Sequence, residues 1–146
     1  MDKIGRILLV GVVAGLLISA LGTATHLVLT PLTAGVAGLR AITFQTVLVG
    51  FLFDLGLGFL FVLAYAIVKR AVTGAAWKRV LLFWVVLLAA GAAPRAACLY
   101  RSFLLPDRLV LALSVAAVVE MLAVAVVVVL LYPRDKRAPS AGAAKE

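Results

Sequence analysis

The chain has 146 residues, of which 66% are apolar and only 14% charged, with a formal net charge of +8. A soluble domain carries roughly 25% charged residues, and a chain this short is mostly surface that polar side chains must cover. Composition therefore excludes a soluble globular fold, and the abundance of apolar side chains excludes a solvated coil. An integral membrane protein remains, with the lipid bilayer as its first partner.

The first apolar run covers residues 7–32, reading ILLVGVVAGLLISALGTATHLVLTPL. A secretory signal has an apolar region of about 7–15 residues. This run continues well past the small residues Ala20 and Gly22, so it reads as a retained helix over about 7–30. A short connection containing Arg40 leads to the second run, 44–68, which Lys69 and Arg70 terminate. The third run, 80–100, follows Lys78 and Arg79 and is interrupted by Gly91 and Pro94. Pro94 has no N–H to return to the preceding turn, so a kink with a freed carbonyl is expected around Ala90. The fourth run, 109–132, is rich in valine. Valine is an indifferent helix former in water, but in hydrocarbon an unpaired backbone group costs so much that the segment must be helical. A helix needs about 20 residues to cross the hydrocarbon core. Four spans with their loops therefore use nearly the whole chain as one transmembrane domain, 1–132. Residues 133–146 have the composition of a disordered basic tail.

The cations are distributed unevenly. Lys3, Arg6, Lys69, Arg70, Lys78, Arg79, Arg134, Lys136, Arg137 and Lys145 fall on one side of a four-span topology, and Arg40, Arg101 and Arg108 on the other. Cytoplasmic loops carry the excess of Lys and Arg, which places both termini in the cytoplasm of a cell inner membrane. The same rule accounts for the +8 without a nucleic-acid partner. Tyr65, Trp77, Trp84 and Tyr132 read as aromatic anchors at the cytoplasmic boundary.

Ionisable side chains inside a membrane cost about 2.5–3.5 kcal/mol each on insertion scales. Each span carries one: His26, Asp54, Arg95 and Glu120. Each half of the chain is thus a hairpin with His26 or Arg95 in its first helix and an acid in its second, a faint internal repeat. Small residues share the faces of these four. Gly11, Gly15, Gly22 and His26 form one stripe, Gly50, Asp54 and Gly58 a second, and Gly91 and Arg95 lie on one side of the third span. Small residues let helix backbones approach in lipid, so the glycines are the expected packing positions and the four ionisable residues the expected polar core. In that core Arg95 bridges Asp54 or Glu120, with His26 close by.

Two uses fit such a core. The first is structural: buried charges that lock helix register in a non-enzymatic accessory or oligomer-forming subunit, alone or within a larger membrane complex. The second is a small transporter or proton- or cation-coupled carrier using Asp54, Glu120, Arg95 and His26, since burial raises a carboxyl pKa and lets it load a proton near neutrality. No catalytic motif, metal cluster or cofactor motif is present. Cys98 is the only cysteine, which excludes an internal disulfide, a CxxC redox pair and a cysteine-rich zinc site. His26 is the only histidine, which leaves a haem without an evident second axial ligand.

Overall fold

The computed structural model describes residues 3–33, 44–70, 75–92 and 107–132. All elements among them are helical: α1 (Lys3–Thr33), α2 (Phe44–Val68), α3 (Ala76–Leu87), which continues as a π-helical turn (Leu88–Ala92), and α4 (Asp107–Leu131). Three stretches are long and apolar enough to cross a membrane: Ile4–Pro31, Phe44–Val68 and Asp107–Leu131. The end of the expected third span (93–100, with Pro94, Arg95 and Cys98) and the expected tail (133–146) lie outside the described residues.

Helix α2 has the same limits as the apolar run that forms it, whereas α1 and α3 begin earlier than their runs. Their extra residues, Lys3 to Arg6 and Ala76 to Arg79, include cations but no helix breaker except Gly5. A helix extended past the apolar boundary keeps its backbone hydrogen bonds, while its long basic side chains reach toward water. Pro31 lies in the last turn of α1. The π-helical turn covers Ala90, where the kink was expected. A register shift of this kind commonly accompanies an interrupted hydrogen-bond ladder; Pro94, to which the expected kink was tied, lies outside the described residues. At the start of the turn the Leu88 N–H is shared between the carbonyls of Trp84 and Val85.

Neighbouring helices run antiparallel. Helix α1 packs most extensively on α2 and also on α4, and α4 packs on α3, while α2 touches α3 and α4 only lightly. The α1–α2 contact is made backbone to backbone. A Cβ added at Gly58 would lie 2.7 Å from the Gly15 Cα, and one added at Gly15 would lie 2.7 Å from the Leu55 Cα. A Cβ added at Gly11 would run into the Phe59 ring. At Gly15 and Gly58 no larger residue fits without separating the helices, and at Gly11 the Phe59 side chain would have to move.

The buried core occupies one end of this arrangement. It is built from Val10, Ala14 and Ile18 of α1, Phe61, Val62 and Tyr65 of α2, and Phe83 and Leu87 of α3. Helix α4 adds Met121, Val124, Ala125, Val128 and Val129, followed by Tyr132. The α4 residues recur at three- and four-residue steps, the period that keeps one face of a helix turned inward. Toward the other end the only fully buried apolar residues among those described are Leu29 and Leu109. Large side chains there, such as Phe44 at 81% exposure, face outward.

Replacing Gly58 with leucine should force α1 and α2 apart and lower stability by about 1–3 kcal/mol, the usual cost of overpacking. Gly56 lies on the same helix with nothing within 4 Å of an added Cβ, so Gly56→Ala should leave stability unchanged or slightly raised. Thermal unfolding of both variants in detergent micelles distinguishes these outcomes.

Candidate functional site

The two intramembrane acids sit halfway along their helices. At a rise of 1.5 Å per residue, Asp54 lies roughly 15 Å from the start of α2 and Glu120 roughly 20 Å from the start of α4. Both are half-buried, and neither lacks an interaction partner. The Asp54 backbone is pressed against α1, since a Cβ added at Gly15 would lie 3.0 Å from the Asp54 carbonyl oxygen. The close α1–α2 approach thus holds Asp54 at a set height and rotation. Glu120 precedes Met121, which points into the core. One residue is about 100° around a helix, so Glu120 lies at the flank of the α4 core face.

Among the described residues no polar or charged residue is fully buried, the core tyrosines aside. The two acids are half-buried rather than enclosed. His26 is exposed, and its backbone carbonyl accepts a 2.8 Å hydrogen bond from Thr30 Oγ1. Its stripe is packed only in part: Gly11 and Gly15 meet α2, whereas Gly22, one turn before His26, has nothing within 4 Å of an added Cβ. Arg95, the expected bridge to either acid, lies outside the described residues.

The expected packing glycines fall into two groups. Gly11, Gly15 and Gly58 come together in one contact. Gly22, Gly50 and Gly91 have open space beside them among the described residues, as does Gly56. A group of three or more metal-ligating side chains is likewise not found among the described residues.

Aromatic residues near the basic end have packing roles that composition concealed. The Tyr65 ring stands edge-on to Phe83 at 5.0 Å between centroids and to Tyr132 at 5.2 Å. Such pairs contribute about 0.5–1.5 kcal/mol beyond area burial. The ammonium of Lys69 lies 4.9 Å from the centroid of the Tyr132 ring. Trp84, half-buried against the core, donates from Nε1 to the Val118 carbonyl at 3.1 Å and ties α3 to α4. The spacing from Gly58 to Tyr65, two turns along one face, was the available signal that Tyr65 turns inward. Trp77 stays outward, with the Lys78 ammonium 5.5 Å from its ring centroid.

Two hydroxyls bond within their own helices. Ser114 Oγ donates to the Val110 carbonyl at 2.8 Å, the same one-turn pattern as Thr30 to His26. Bonds of this type satisfy a hydroxyl in an apolar setting and tend to bend the helix.

The chain matches no protein-family model, no curated protein and no solved structure. The described residues are all-helical apart from short turns, with three helices long and apolar enough to cross a membrane, which suggests a membrane protein, and a fourth helix beside them.

Trp84→Phe keeps the ring but removes the donor to α4, and should lower stability by roughly 0.5–1.5 kcal/mol, the net value of one hydrogen bond. Trp77→Phe, at an exposed site, should stay within about 0.5 kcal/mol of the parent. Parallel melting curves in one detergent provide the comparison.

Proposed function

We propose that this chain is a four-span integral protein of the cell inner membrane, with both termini in the cytoplasm. In this reading it works without catalysis as an accessory or oligomer-forming subunit. The supporting observation is the unequal packing of its two ends. The basic end has a closed apolar core, whereas toward the other, among the described residues, Gly22 and Gly50 have open space beside them and Asp54 and Glu120 are half-buried. Lipid is as apolar as leucine, so helices associate in it through close backbone approach and shared polar contacts. A face with small residues and incompletely buried carboxyls supplies both. A second copy or a larger membrane complex seated there would complete the burial of the acids.

A carrier is the second reading, favoured by the depth of Asp54 and Glu120. Half-buried carboxyls near mid-span suit a proton or cation path in which Arg95 and His26 would take part. The two readings differ in what Glu120→Gln and Asp54→Asn do. A subunit should show weakened assembly and no change in ion or proton flux across proteoliposomes, whereas a carrier should lose coupled flux while keeping its oligomeric state.

The subunit reading predicts that Gly22→Leu or Gly50→Leu shifts the purified protein toward the monomer without unfolding it. Mass measured in nanodiscs, with circular dichroism as the folding control, tests this. An unchanged assembly state in both variants would remove the glycine face from the interface.

A further inference from the structure

We draw no further inference here: the strongest candidate, the first turn of α3 with the buried Nε of Arg79, rests on a helix N-terminus and a single half-buried side chain, and nothing among the described residues shows what would seat there.

Discussion

The backbone-to-backbone approach of α1 and α2 is the constraint on which the rest of the arrangement depends. In lipid there is no hydrophobic gain from bringing two apolar helices together, so their contact must come from dispersion at short range. Gly15 and Gly58 permit that range, and their rotation determines what else each helix presents. With the glycine stripe of α1 turned to α2, Val10, Ala14 and Ile18 face the interior and reach α4. With Gly58 turned to α1, Phe61, Val62 and Tyr65 follow along the same side of α2 and meet α3 and α4. Asp54, one turn on the other side of Gly58, is brought to the edge of that contact by the same rotation.

From this follows a molecule with two unlike ends. At the basic end aromatic and branched side chains interlock, and Tyr65 joins rings from two other segments. At the other end the glycines have no described neighbour and the carboxyls are half-covered. The contrast has a chemical logic. The closed end keeps the helices in register with apolar groups and carries Lys69 and Arg79 one turn beyond Tyr65 and Phe83. The other end holds Asp54 and Glu120 half-buried beside the core face.

Much of the helical layout was legible in the chain because the bilayer enforces it. A run of apolar residues long enough to cross must pair its backbone internally, so 44–68 could be read directly as a helix; near Ala90, where a kink was expected, a π-helical turn is found. Helix starts were less legible: the first turns of α1 and α3 contain Arg6 or Lys78 and Arg79, which an apolar window excludes but which a helix tolerates by extending these side chains to water. Glycine spacing identified the face that packs but not how far the packing continues. Gly11, Gly15 and Gly22 share one stripe, yet only the first two meet α2. Trp84 and Tyr65 were read as boundary anchors on composition, because an aromatic ring near a basic loop looks the same whether it points to lipid or across to another helix.

What the amino-acid order determined by itself is the class of protein, the positions of its apolar stretches, the side on which the cations gather and the small set of residues too polar to sit in lipid without cause. Each of these follows from local transfer energies and from hydrogen bonds made within one segment. Only the tertiary structure decided which helix pairs approach closely, that the described core lies at the basic end, that Trp84 bonds to α4, and that Asp54 and Glu120 are half-buried. Those outcomes depend on the relative rotation of helices whose outer surfaces are nearly uniform in hydrophobicity. On such surfaces periodicity carries little information, and interhelix contacts at a handful of glycines and aromatic rings choose the arrangement.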